Sequence, residues 1–194
     1  MTNVHIDLLA PAGMTEARTA AIGAYGWFTH ARTTDQFDTI QKEGLKPTWP
    51  QSHMTPQEVI DAIGDDGKNI ICLSPYPKKT LLLLNKGGKS AFKLAVPANK
   101  LPARVGVDWS FGGTWDLTIS NHRYMNGAPL GQVFLSVLRS REVIISYDAI
   151  PAADLKVCTE ALRDKPPSDW PDLVGVAFKD VAIFEPDDFG NISL

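Results

Sequence analysis

The chain has 194 residues and a formal net charge of −3, with 44% hydrophobic and 21% charged residues, which suits one globular domain with a sizeable core. That charge excludes a global basic field for nucleic acid and leaves only a local basic groove. No stretch reaches membrane-spanning length, the N-terminus lacks a basic region followed by an apolar run, and Cys72 and Cys158 form no metal-ligand pair. The expected place is therefore the cytoplasm of the producing or a target cell, with no membrane contact and no metal.

Fourteen prolines and fifteen glycines are scattered along the chain, which predicts many short elements. Thr2 to Leu9 reads as a short edge strand. Met14 to Tyr25 is Ala-rich and reads as a helix starting near Thr15, with His5 a surface residue. Trp27-Phe28-Thr29 is short, apolar and β-prone, a strand ending at His30. Thr33 or Thr34 then offers an N-cap hydroxyl, and Asp35 puts a negative charge in the first helical turn. Phe37 and Ile40 share one helical face. Gly44 suits the residue after the helix, Leu45 folds back, and Pro47 prevents resumption. A histidine between a strand and a helix N-terminus is well placed to meet a polar ligand. The residues alone leave that role and a plain surface or core histidine both open.

The pattern His30-x-Arg32-x-x-Asp35-Gln36-Phe37-x-x-Ile40-x-x-x-Gly44-Leu45 resembles the first motif of ADP-ribosyltransferases of the His-and-Glu branch. Versions of it occur in DarT-type DNA-modifying enzymes and in RNA 2′-phosphotransferases. This chain departs from the DarT-like version by Arg32 for Thr and Gln36-Phe37 for Asn-Leu. The resemblance implies that His30 hydrogen-bonds the NAD ribose next to nicotinamide. Arg32 then contacts the pyrophosphate or is a surface charge.

Thr55-Pro56-Gln57-Glu58 starts a helix that runs to Ile63 and stops at Gly64, before an Asp65-Asp66-Gly67 turn. Asn69 to Ser74 is a continuous apolar run and reads as a buried strand, with Cys72 in the core and Pro75-Tyr76-Pro77 ending it. In the resembling family this strand lines the nicotinamide pocket, which implies Ser74 and Tyr76 as cofactor contacts. Tyr76 reads equally as a turn aromatic shielding the sheet edge. Lys78 to Leu84 reads as a short helix and Asn85 to Gly88 as a turn. Gly88-Lys89-Ser90 is no phosphate loop, because the motif's first glycine falls on Leu83 and a strand follows. Ala91 to Val96 and Arg104 to Asp108 are strands. Phe111 to Trp115 is a glycine-rich aromatic loop, and His122-Arg123-Tyr124 lies in a second polar loop, where His122 reads as a solvated loop histidine with a catalytic role as the alternative.

Val133 to Leu138 is apolar, and Glu142 opens a strand that runs to Tyr147. Alone, a carboxylate heading an apolar strand beside Arg139 and Arg141 is an ion-paired edge residue. Glu142-Val143-Ile144-Ile145, followed by Ile150-Pro151, also resembles the family's catalytic strand, which implies Glu142 as the catalytic glutamate. Ser140 is not the Glu or Gln of arginine-specific transferases, which argues against arginine as the acceptor. Asp154 to Leu162 reads as a helix, Asp164 to Trp170 as loop, Val174 to Phe178 and Val181 to Phe184 as closing strands, and the tail from Pro186 as acidic surface.

The resemblance implies an α+β fold of split antiparallel sheets with a few short helices, in one domain over residues 1–194. It implies an NAD-dependent ADP-ribosyltransferase, of toxin or defence type, with an antitoxin or immunity protein as a partner. Glu142 and His30 are its catalytic residues; His30, Arg32, Ser74 and Tyr76 hold NAD. Trp115, Arg123 and Tyr124 are candidate acceptor contacts, read as aromatics and a cation able to hold single-stranded nucleic acid; the alternative is that Trp115 packs in the core. Nucleic acid is favoured over a protein acceptor. The rivals are an NAD-dependent RNA 2′-phosphotransferase and a non-enzymatic member that binds a nucleotide or partner.

Overall fold

The computed structural model describes residues 4–48, 55, 57–78, 80, 89–108 and 128–189. In chain order its elements are α1 (Val4–Leu9), α2 (Pro11–Ala24), β1 (Trp27–Thr33), α3 (Phe37–Glu43), α4 (Gln57–Ile63), β2 (Ile71–Pro75), β3 (Ala91–Pro97), β4 (Val105–Val107), α5 (Leu130–Arg141), β5 (Ile144–Ser146) and β6 (Lys156–Val157), with short 3-10 turns between them. The fold is thus a mixture of helices and antiparallel strands. Among the described residues no helix is long and apolar enough to cross a membrane.

The chain forms two compact units, each assembled from three separated segments. The first comprises Met1–Ala24, Lys46–Cys72 and Leu101–Ala149. Its helices α2 and α5 pack through small residues. A Cβ on Gly131 would stand 3.3 Å from the Ala20 Cβ, so only glycine admits this approach without displacing its neighbour. The Gly131 N–H donates to the Glu16 carboxylate at 3.1 Å, filling one bond that a helix start leaves open. Val133, Phe134, Val137 and Leu138 form the buried stripe of α5. Strands β4 and β5 pair antiparallel from Val105↔Ser146 to Val107↔Ile144. Just outside that pair, Arg104 grips Asp148 at 2.6–2.8 Å and reaches Asp66 at 3.1 Å, which keeps its guanidinium firmly protonated.

The second unit comprises Tyr25–Leu45, Leu73–Lys100 and Ile150–Leu194. Strand β1 lies between β2 and β3, and β6 extends the far side of β3. The β1–β3 ladder is unbroken from Trp27↔Pro97 to Thr33↔Ala91, so side chains alternate strictly between two faces. Phe28, His30 and Arg32 project to one face with Phe92, Leu94 and Val96. Helix α3 lies on that face through Phe37, whose ring meets Phe92 edge-on at 5.4 Å. Fully buried Phe28 and Phe92 each contribute about 1.5–3 kcal/mol through apolar burial. The opposite face carries Ala31, Ala91 and Ala95, small enough for Trp170, Phe184 and Phe189 to pack on it. Lys93 places its ammonium 3.9 Å from the Phe184 ring centre, a cation–π contact.

Several expectations are corrected. The N-terminal segment is helix rather than strand. Leu8 and Leu9 are both buried, and burial of adjacent side chains is incompatible with a half-exposed strand of period two. Strand β1 continues three residues past His30, because pairing with β3 outweighs the weak strand preference of Ala31. Thr33 sits at the cap position with extended backbone but makes no cap bond; its hydroxyl goes to Asp35 instead. The 65–67 turn is part of a longer 3-10 turn, Gly64–Lys68. Cys72 is half-buried rather than in the core.

The 154–162 helix is absent. Val157 and Cys158 complete the β3 edge, and 3-10 turns flank them. The 164–170 loop contains a 3-10 turn, Pro167–Asp169. The closing strands reduce to single bridges, Thr159↔Val181 and Ala91↔Phe184. Around 174–178 the chain is claimed by Gln41, whose amide donates to the carbonyls of Leu173 at 3.0 Å and Val176 at 2.7 Å. The tail is not all surface, since Phe189 is buried against Phe184. The expected helix at 78–84 and turn at 85–88 lie almost wholly outside the described residues.

Candidate functional site

The segment around His30 folds as strand, one 3-10 turn (Thr34–Gln36), helix α3 and an abrupt stop. Gly44 makes the stop. Its φ is +79° with ψ −173°, a region open essentially to glycine alone. A Cβ there would overlap the Ile150 carbonyl oxygen. Leu45 then pairs with Ile150 through two 2.9 Å backbone bonds.

His30 sits mid-strand rather than at the strand end, 9% exposed, directly opposite Leu94. Arg32, two residues on and on the same face, lies half-buried opposite Phe92. At the turn into α3, the Thr33 hydroxyl, and less strongly Lys89 at 3.4 Å, hold the Asp35 carboxyl below its ordinary pKa.

Ser74 is buried opposite Thr29, so its side chain belongs to the face away from His30. There the Thr80 hydroxyl donates to the Thr29 hydroxyl at 2.8 Å, and Thr29 donates to the Ser74 carbonyl at 3.3 Å. Sequence reading missed this buried hydroxyl set, because threonine in a strand carries no signal beyond β-propensity. Tyr76 follows β2 in a turn, with a cis bond to Pro77, and its N–H donates to the Trp27 carbonyl at 2.9 Å. Trp27 is three residues before His30, about 10 Å along the strand at ~3.3 Å per residue. Arg32 and His30 therefore share a face, Ser74 lies on the other, and Tyr76 stands at the strand's start.

In the first unit, Glu142 does not open a strand. It caps the C-terminus of α5, two residues before β5, and its N–H donates to the Leu138 carbonyl at 2.7 Å. Its backbone is left-handed (φ 58°, ψ 22°), and no other non-glycine among the described residues has positive φ. The helix runs on to Arg141 because the apolar stripe of α5 continues to Leu138 at helical spacing. Glu142 itself is half-buried. Trp115, Arg123, Tyr124, the 111–115 loop and His122 lie outside the described residues. Among the described residues, no group of three or more His, Cys, Asp or Glu side chains is arranged to hold a metal ion. Comparison of the chain with protein-family models, curated proteins and solved structures gives no match.

Proposed function

We propose that the chain is an NAD-dependent ADP-ribosyltransferase with an ADP-ribosyltransferase-like α+β fold, acting on a nucleic-acid acceptor. The observation that carries this reading is the backbone of Glu142. A left-handed helix cap favours glycine, and a β-carbon there costs about 1–2 kcal/mol. Retaining a glutamate in a sparsely populated conformation is the kind of strain that collects at functional positions. The sequence pattern around His30 supports the same reading, since it folds as strand, turn, helix and Gly-Leu stop.

In this reaction the bond between ribose C1′ and the nicotinamide nitrogen breaks, and its electron pair leaves with nicotinamide. Positive charge develops on the ribose. The Glu142 carboxylate stabilises it, an effect that is largest where water is excluded. The acceptor's oxygen or nitrogen bonds C1′ and gives up its proton, which Glu142 accepts when within hydrogen-bond reach. His30 fixes the ribose by hydrogen bond, a positioning role. Arg32 supplies a charged donor for the pyrophosphate. The aromatics and cation Trp115, Arg123 and Tyr124 are the proposed acceptor contacts.

The test is nicotinamide release from NAD, followed with and without single-stranded DNA, RNA or protein. Wild type releases nicotinamide and labels nucleic acid. Glu142→Gln keeps NAD affinity within about tenfold, ~1.4 kcal/mol, yet turns over at least ~100-fold more slowly, the scale of losing one preorganised electrostatic contact. Equal turnover by the two proteins makes Glu142 structural. No release by wild type with any acceptor ends the transferase reading and leaves a nucleotide- or partner-binding protein. Label confined to protein overturns the acceptor assignment alone.

A further inference from the structure

Phe178 is one of two large apolar side chains markedly exposed among the described residues, at 44%. Single exposed apolar residues are ordinary, but this ring is mounted rather than loose. It stacks obliquely on Phe37 at 5.2 Å, and Phe37 is itself locked edge-on against buried Phe92. The chain leading to it is held by the two Gln41 hydrogen bonds, and the Phe178 carbonyl accepts the Val181 N–H at 3.0 Å. Phe92 stands opposite Arg32, on the face that also carries His30. A row of contacts thus runs from the side of the sheet that bears His30 and Arg32 to one exposed aromatic surface.

We propose that Phe178 is the stacking platform for the adenine ring of NAD. The inference rests on the transferase reading, which assigns the ribose next to nicotinamide to His30 and the pyrophosphate to Arg32. The other end of the dinucleotide is then a flat purine that needs a π-face, and a rigid exposed phenyl supplies one at little cost in side-chain order. The adenine stacks on the ring without base-specific hydrogen bonds.

The experiment is calorimetric titration of wild type, Phe178→Ala and Phe178→Tyr with NAD, ADP and nicotinamide mononucleotide. Thermal midpoints serve as the control for folding. Phe178→Ala is expected to lose about tenfold in affinity for NAD and ADP, the usual scale for one base–aromatic stack. It keeps wild-type affinity for the mononucleotide, which has no adenine, and Phe178→Tyr restores NAD and ADP binding. Unchanged NAD and ADP affinity in Phe178→Ala, or an equal loss for the mononucleotide, overturns the inference. Nicotinamide release combined with that result sinks the platform and leaves the transferase standing. ADP binding that depends on Phe178 without any nicotinamide release does the reverse. A wild type that binds neither NAD nor ADP refutes both.

Discussion

Replacing Glu142 with glycine separates the chemistry of this residue from its contribution to the fold. The left-handed backbone (φ 58°, ψ 22°) costs a residue with a β-carbon about 1–2 kcal/mol. Glycine removes that cost but gains about 0.4–1 kcal/mol of unfolded-chain entropy. The balance favours the variant by roughly 0.5–1 kcal/mol. For a chain of this length each kcal/mol moves the melting midpoint by about 2–4 °C, so Glu142→Gly should melt about 1–4 °C higher. Urea unfolding read by tryptophan fluorescence and thermal unfolding read by circular dichroism measure the shift, and nicotinamide release is assayed on the same preparation. A more stable protein that has lost turnover is the expected pair of results. A stability lowered by more than about 1 kcal/mol would show that the Glu142 side chain holds the structure together, and would remove strain as a sign of function.

Gly44→Ala should destabilise the protein by about 2–4 kcal/mol, because it combines a forbidden backbone region with a clash against the Ile150 carbonyl; a urea midpoint within error of wild type refutes this. Cys158 provides a pH signature. Burial pushes its thiol from 9.0 up to about 11, so the folded protein holds this proton more tightly than the unfolded chain. Its contribution to stability is complete below pH 9 and falls between pH 9 and 11, by at most about 1.4 kcal/mol per unit. Urea midpoints for wild type and Cys158→Ala should diverge in that window, and parallel curves would count against it. At pH 8 a thiol reagent should modify half-buried Cys72 well before buried Cys158.

Local signals in the sequence were reliable where the chain satisfies itself locally. The Phe37–Ile40 stripe and the Gly44 stop reside within one short segment and are found as read, whereas Leu45 pairs with distant Ile150 instead of folding back on the last turn. The strands at 91–97 and 105–107 were legible from alternation and apolar runs, although their partners lie far along the chain. Reading failed where a distant partner decides. Leu155, Cys158 and Leu162 repeat at helical spacing, yet the open edge of β3 takes Val157 and Cys158 into a ladder. The residues 174–178 look like a strand, but the Val176 carbonyl and that of Leu173 just before the segment are taken by Gln41, over 130 positions away. At the site, the residue types around His30 were legible while the faces were not. A one-residue difference in register decides that His30 shares a face with Arg32 and not with Ser74. Val143, Ile144 and Ile145 make Glu142 look like a strand start in the sequence; the helix claims it from the other side.

The alanine face of the second unit has a consequence for biosynthesis. Ala31, Ala91 and Ala95 are all made before residue 100, whereas Trp170, Phe184 and Phe189, which cover them, come from the last part of the described chain. During vectorial synthesis the paired strands β1 and β3 emerge with that face bare, and β6, which closes the β3 edge, is also still to come. The nascent chain therefore passes through an interval in which an apolar sheet face and an unpaired edge are both accessible, the combination that recruits chaperones and seeds aggregation. A ribosome that stalls before Ile150 releases a product locked in that interval. Loss of the final turn alone removes the Phe189 ring from its place against Phe184. Expression of this protein should accordingly depend on translation speed through its last third more than on the strength of its early elements.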